Sequence, residues 1–521
     1  MEVFEEIKKK YEKLSSDELL EIIAKLTSEL ARVQTMLWTK GRERSIDYSG
    51  MPCLFDEIEF EADQVEKNPE VDSKGQNEDS DSSKPKSEKK RGGRKPLPDY
   101  LPRVRVEVDL PEDQKICPHH QVPLEKIGEE VAEKLELIPA KVEVKEIVTF
   151  TYNCPCCDSS FVQSQREPDP IPKSFASPSL LAYIATAKFV DGLPLYRQER
   201  IFDRLNIELN RSTMARWMVR LGSLVTPLIN LMQDDLLASA LLHADETEVQ
   251  VLDEGGKAPT SKSYMWVIGR SGLQPIVLFQ YEPHRSKTAA LRVIPEFKGT
   301  LVADGYKVYE SLGKALSCQL AACLAHIRRK FWQAEKAAKK EAKTETVLLS
   351  SQALAFIKRI YAIESELKGQ PPDQILSIRQ KKSKPIMESW KAWLDALEPK
   401  VLPSSPTGKA IAYALGQWQK MLVFLDNPLV PVDNNFIEAS LRPFVVGRNS
   451  WLFSQSVGGA QASAALYSLV ETAKLNGIDP HDYLTLIFKE LPKADSAEDF
   501  EKLLPYQAQA HFSLKPYQAA K

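Results

Sequence analysis

The chain has 521 residues, 43% hydrophobic and 27% charged, with a formal net charge of −3. That length exceeds what a single hydrophobic core serves, and the composition is that of an ordinary globular protein, which excludes fibrous and membrane-embedded classes. No apolar run is long enough to cross a bilayer and the opening MEVFEEIKKKYEKL is unlike a signal peptide, so a cytoplasmic chain with no membrane partner is expected.

Taken in chain order, residues 15–38 begin with Ser16 as a candidate helix cap. Leu19, Ile23, Leu26, Leu30, Val33 and Leu37 then alternate steps of four and three, a short coiled-coil seam that favours self-association. Residues 1–48 are read as this N-terminal helical unit. Residues 49–98 follow as a disordered linker, acidic over 56–81 and basic over 84–95. Its end, KKRGGRKPLP, places Arg91, Arg94 and Lys95 around a glycine pair, an arm able to lie along phosphates or enter a minor groove. A solvated charge run is the ordinary explanation of such a segment.

Residues 99–172 read as a β-rich module, with VRVEVDL and VEVKEIVTFTYNC alternating apolar and polar residues. Four of the seven cysteines fall between 117 and 157. Cys117-Pro-His119-His120 and Cys154-Pro-Cys156-Cys157 are two short-spaced pairs of soft or borderline donors, as a tetrahedral structural Zn²⁺ requires. Cys117, His120, Cys154 and Cys157 are the expected ligands, with His119 and Cys156 as alternatives.

Residues 173–230 read as a DNA-binding unit. LYRQERIFDRLNIELNRSTMARWMVRLG is a helix, a turn and a second helix, in which Ser212 is a candidate cap. Met214, Trp217 and Leu221 would face inward and Arg211, Arg216 and Arg220 outward, the layout of a helix-turn-helix with a basic reading helix. Helical hairpins that never touch DNA share this pattern.

A core follows in two parts, 231–326 and 427–492, separated by a helical insertion over 327–426 and trailed by a C-terminal tail over 493–521. ALLHADETEVQVL, SYMWVIGR, PIVLFQYE, GTLVADGY and CQLAACLAH are strand-like, with a helix over SKTAALRVI. Asp245 sits within one apolar strand pattern and Asp304 at the end of another, where Gly305 is expected to let the chain turn. A turn or capping Asp is the common explanation for one such residue; two, each preceded by Ala in a strand, point to a site. Three carboxylates suffice for two Mg²⁺ ions, with Mn²⁺ an acceptable substitute, because these ions keep water and phosphate oxygens as their other ligands. VDNNFIEASLRPF supplies the third, Glu438. Asp433 is expected to cap its helix, Arg442 to aim at a phosphate or hold Glu438, and Pro443 to end or kink the helix.

These motifs together resemble DDE transposases of the insertion-sequence sixty-six family over nearly the full chain. The matching text is RGGRKPLPDYLPRVRVEVDLP, the paired-ligand zinc segment, HADET, LVADGY, CLAHIRRKF, VDNNFIEASLRPFVVGRNSWLF and SLVETAKLNGIDPHDYL. The resemblance implies an α+β multidomain protein with a ribonuclease-H-like α/β core and catalytic acids Asp245, Asp304 and Glu438. It implies His326, of a Cys-x-x-His motif beginning at Cys323, near the scissile phosphate. Arg328, Arg329, Lys330, Arg442 and Arg448 would lie on DNA. The chain departs from the family pattern at His120, usually Cys, and at Glu246, often Asp.

The function implied is binding of an element's terminal inverted repeats, strand cleavage and transfer to target DNA, by a homo-oligomer with accessory proteins of the same element. Two other readings remain open at this stage: a zinc-dependent DNA-binding regulator with a silent core, and a ribonuclease-H-like repair nuclease. A second metal fragment at Cys323 and His326 is disfavoured because the sequence shows no partner pair nearby.

Overall fold

A computed structural model describes residues 142–149, 151–153, 161–163, 166–341 and 349–517. The coiled coil, the linker, Arg91, Arg94, Lys95 and the zinc candidates Cys117, His119, His120, Cys154, Cys156 and Cys157 lie outside the described residues. Within the unit spanning residues 68–166, β1 (Thr151–Asn153) and β2 (Phe161–Gln163) form an antiparallel pair with Thr151 opposite Gln163. The alternating stretch 142–149 is exposed and carries no regular structure, so the strand begins only at Thr151. Alternation marks a half-buried surface, but a strand also needs a neighbour to pair with, and among the described residues none pairs here.

The larger unit is mixed α+β. Four helices open it: α1 (Pro178–Phe189), α2 (Leu195–Arg204), α3 (Arg211–Leu224) and α4 (Thr226–Leu237). Then come β3 (Leu241–Asp253), β4 (Lys262–Arg270), β5 (Ile276–Glu282), α5 (Lys287–Val293), β6 (Thr300–Ala303), α6 (Lys307–Leu316) and β7 (Gln319–Ala322). The sheet order is β5-β4-β3-β6-β7. β3, β4 and β5 are antiparallel neighbours, whereas β6 runs parallel to both β3 and β7. β3 lies at the centre, buried without interruption from Leu241 to Glu246, as a strand covered on both faces must be.

Helices dominate the rest: α7 (Leu324–Glu341), α8 (Leu349–Glu366), α9 (Lys384–Leu397) and α10 (Pro406–Gly416), then α11 (Asn435–Trp451). The short β8 (Ser454–Ser456) pairs with the far end of β3 and leads into α12 (Val457–Leu475) and α13 (Pro480–Glu490). Phe331, Ile357, Ile360, Trp390 and Trp418 form a hydrophobic cluster that continues onto Leu241 and Val302 of the sheet. β5 is an edge strand, a place where unpaired backbone groups invite aggregation. Here α12 covers it: Ser468 Oγ accepts from the Phe279 N–H at 2.8 Å, and Thr472 Oγ1 accepts from Val277 N–H and donates to its carbonyl at 3.1 and 3.0 Å.

Three features of the fold cross the divisions expected from the sequence. Helices α1, α3 and α4 share one hydrophobic cluster with β4, β5 and α12, so 173–230 is not set apart from the core. A boundary at 230 falls inside α4. The stretch 493–521 is not a loose tail through its described part: Leu503, Leu504 and Ala508 are buried in the same cluster and Tyr506 donates its hydroxyl to Asp235.

Cap chemistry also differs from the sequence reading. Ser212 lies inside α3, and the first N–H of that helix, Arg211, is accepted by Glu199 of α2 at 2.9 Å. Pro443 lies inside α11, which runs on to Trp451. A proline there removes one donor to Ala439, and Ala439 is exposed.

Arg379 anchors the insertion. It is 3% exposed, forks onto Glu364 at 2.9 and 2.6 Å, and donates to the carbonyls of Phe424, Asn427 and Val430. Arg379→Met strands a partly buried carboxylate and three carbonyls and is expected to destabilise the protein by ~3–5 kcal/mol. Lys382→Met removes only an exposed pair with Glu366 and is expected to change stability by under ~1 kcal/mol. Denaturant midpoints of the two variants check the contrast.

Candidate active site

The register of β3 and β6 sets the first two acids side by side. His243 pairs with Val302 on the parallel neighbour, so two residues onward Asp245 and Asp304 reach the same level, about 5 Å apart along the backbone. Asp304 has just left β6, and one of its oxygens accepts the Tyr306 N–H at 2.9 Å. Gly305 meets a different need from the one expected. Its φ is not positive; a Cβ there would lie 2.5 Å from the Tyr413 hydroxyl, so the position requires space, not left-handed backbone.

The third acid arrives on α11, and a buried amide places it. Asn434, 1% exposed, stands at the N-cap position, its Oδ1 2.8 Å from His243 Nδ1 and its Nδ2 donating to the Ala244 carbonyl at 3.0 Å. The Asn434 N–H goes to Cys323 Sγ at 3.2 Å, and Leu324 N–H goes to the Val432 carbonyl at 2.9 Å. Asp433, expected as the cap, instead accepts from the Asn435 backbone and side chain at 3.2 and 3.0 Å. One turn in, Glu438 is buried, with His326 Nδ1 3.5 Å from Oε1 and Arg329 4.0 Å from Oε2.

These acids act on one another electrostatically. Burial pushes the Asp245 carboxyl well above the usual carboxylate range; Glu246, Glu438 and Asp304 push it the same way, against the Glu246 N–H that Oδ1 accepts at 2.8 Å. Its other oxygen, Oδ2, is buried with no hydrogen bond. Crowded carboxylates with an orphaned buried oxygen are groups a hard divalent ion can neutralise, although among the described residues the trios whose donor atoms all lie within 4.8 Å of one another include Glu438 without Asp245 or Asp304. Burial also pushes His326 down to about 4, helped by Arg329. Its imidazole is therefore neutral near pH 7.

Glu246 belongs to the other face. Successive strand residues alternate: His243 and Asp245 face α11, while Glu246 pairs with Arg285 and accepts the Tyr309 hydroxyl. Arg285 in turn lies 3.8 Å over the Tyr306 ring. Asn434, His243, Arg285 and Tyr309 were missed by sequence reasoning. The only signal for the first two was their place beside residues that had been singled out.

Of the expected DNA contacts, Arg211, Arg216 and Arg220 are exposed on α3 and Lys330 is exposed on α7. Arg328 lies over the Tyr361 ring, and Arg442 is half-buried one turn beyond Glu438. Two depart from expectation. Arg329 turns toward Glu438, and Arg448 is taken up by β3, donating to Thr247 Oγ1 at 3.3 Å and to the Glu248 carbonyl. No helix of the described residues is long and apolar enough to cross a membrane.

The family model described as "Transposase IS66 family" matches residues 173–462, and "IS66 C-terminal element" matches 468–506. "Zinc-finger binding domain of transposase IS66" matches 114–158 and "Transposase C of IS166 homeodomain" matches 25–106. Among curated proteins, the uncharacterized protein y4jD of Sinorhizobium fredii (strain NBRC 101917 / NGR234) is 31% identical over 427 residues, covering 80% of this chain and 82% of its own. The uncharacterized protein y4qI of the same organism is 32% identical over 431 residues, covering 79% and 77%.

The two adjacent asparagines separate positioning from solvation. Asn434→Ala leaves His243 and the Ala244 carbonyl buried without their partner, at about 1–3 kcal/mol each. Asn435→Ala touches an exposed side chain and is expected to shift stability by under ~0.5 kcal/mol. Equal unfolding midpoints for the two variants would remove Asn434 from its positioning role.

Proposed function

Since the chain belongs to the Transposase IS66 family, we propose that it is a DNA transposase that binds the terminal inverted repeats of its element, cuts at their ends and joins them to target DNA. The observation that carries this reading is the parallel register of β3 and β6, which brings Asp245 level with Asp304 just past the end of β6, together with the charge effects of Asp304 and Glu438 on Asp245. Three antiparallel strands followed by two parallel ones support a ribonuclease-H-like core.

Asp245, Asp304 and Glu438 would hold Mg²⁺. When bound, Mg²⁺ supplies an activated water or 3′-hydroxyl and stabilises the leaving oxygen of an in-line displacement. Neutral His326 would stand beside the phosphate, able to accept or donate a hydrogen bond without adding charge. Arg329 would balance Glu438, while Arg328, Lys330 and Arg442 would position the strand through its phosphates. Arg211, Arg216 and Arg220 would meet duplex DNA along the exposed side of α3.

The match to a zinc-finger model over 114–158 supports structural Zn²⁺ on Cys117, His120, Cys154 and Cys157. Self-association through the N-terminal seam would pair the element's two ends. We place the division of labour at the boundaries read from sequence, except where α4 and the C-terminal helices join the core.

Asp245→Asn, Asp304→Asn and Glu438→Gln are each expected to lower magnesium-dependent nicking of an end-containing oligonucleotide by at least ~100-fold. Binding of that oligonucleotide stays nearly intact. Undiminished nicking in any one of them removes that acid from the site, and wild-type binding without any nicking leaves the regulator reading in its place. Separately, Cys154→Ser is expected to release zinc and weaken end binding; a variant with unchanged zinc content and binding refutes the zinc assignment.

A further inference from the structure

The charge of Glu438 acts on Asp245. Donor atoms of Cys323, His326 and Glu438 all lie within 4.8 Å of one another, and His326 Nδ1 is 3.5 Å from Glu438 Oε1. Ligands around a tetrahedral ion with bonds of about 2.0–2.3 Å stand roughly 3.5 Å apart.

We propose that Cys323, His326 and Glu438 form a soft-metal site that takes a Zn²⁺-like ion, and that this ion and the hard ion of Asp245 and Asp304 compete for Glu438. Cys323 directly follows β7 and His326 lies in the first turn of α7, so the strand-to-helix turn fixes both. Cys323 Sγ accepts the backbone N–H groups of Asn434 and His326, which fix its position; burial and the nearby Glu438 and Asp433 push the thiol well above its usual range, so the incoming ion has to displace its proton. His326 Nδ1 is buried and makes no hydrogen bond.

Thiolate and imidazole select zinc over magnesium, whereas carboxylates and water suit magnesium. Three protein ligands leave a fourth position for water, unlike a closed structural cage. Sequence reasoning set this pair aside for want of a partner; the partner is Glu438, more than a hundred residues onward and delivered only by the docking of α11.

Metal binding here stands independently of the proposed cleavage chemistry; its inhibitory consequence rests on that reading. The test therefore uses the full-length protein and readouts other than cleavage. After equilibration with Zn²⁺ and gel filtration, wild type is expected to retain about one more Zn²⁺ per chain than Cys323→Ser or His326→Asn. In the second arm, Mn²⁺ bound to the protein is followed by electron paramagnetic resonance during Zn²⁺ titration. Wild type is expected to release Mn²⁺ at roughly 10–100-fold lower Zn²⁺ than either variant.

Equal zinc contents in folded wild type and both variants overturn the site. A lost zinc with unchanged Mn²⁺ release overturns the competition for Glu438. Failure of wild type to nick DNA bears on the transposase reading alone and leaves both metal readouts standing.

Discussion

One buried amide holds the site together. Asn434 spends its side chain on His243 and the Ala244 carbonyl and its backbone N–H on Cys323, joining α11, β3 and the β7–α7 turn at a single point. A polar group this deep is tolerable only because each of these donors and acceptors is satisfied. The consequence is geometric: the helix that carries Glu438 can start in only one place relative to Asp245.

The second constraint is charge. β3 carries two adjacent acids in a buried run, and the fold separates them by face. Glu246 is neutralised internally by Arg285 and Tyr309, whereas Asp245 is left crowded by other carboxylates and with an orphaned oxygen. The same strand thus holds one acid paired within the fold and one left with an unmet oxygen. In the proposed reading Glu438 would be shared between that acid's site and the softer trio with Cys323 and His326, and metal identity would act through it.

The helices before the sheet do not hang from it on a linker. α3 packs so closely on α12 that a Cβ at Gly222 would lie 2.6 Å from the Ala462 backbone. Its exposed arginines therefore keep a fixed relation to the acids, because interiors packed at crystal-like density transmit position without slack. α12 does further work at the opposite edge, where Ser468 and Thr472 close the backbone of β5.

The sequence alone determined the strands over ALLHADETEVQVL, SYMWVIGR and PIVLFQYE, the turn between α2 and α3, and the three acids as residues worth joining. These are local signals: period, punctuation, and a charge inside an apolar run. Tertiary structure decided what depends on a partner distant in the chain. It denied a strand to the alternating stretch 142–149, gave the cap position of α11 to Asn434 instead of Asp433, and ran that helix through Pro443. It turned Arg448 onto β3, folded the C-terminal helices into the core, and brought Glu438 to Cys323 and His326. The physical reason is common to all of these: burial and hydrogen-bond satisfaction are settled between segments, and a one-dimensional pattern records only each segment's own half of the bargain.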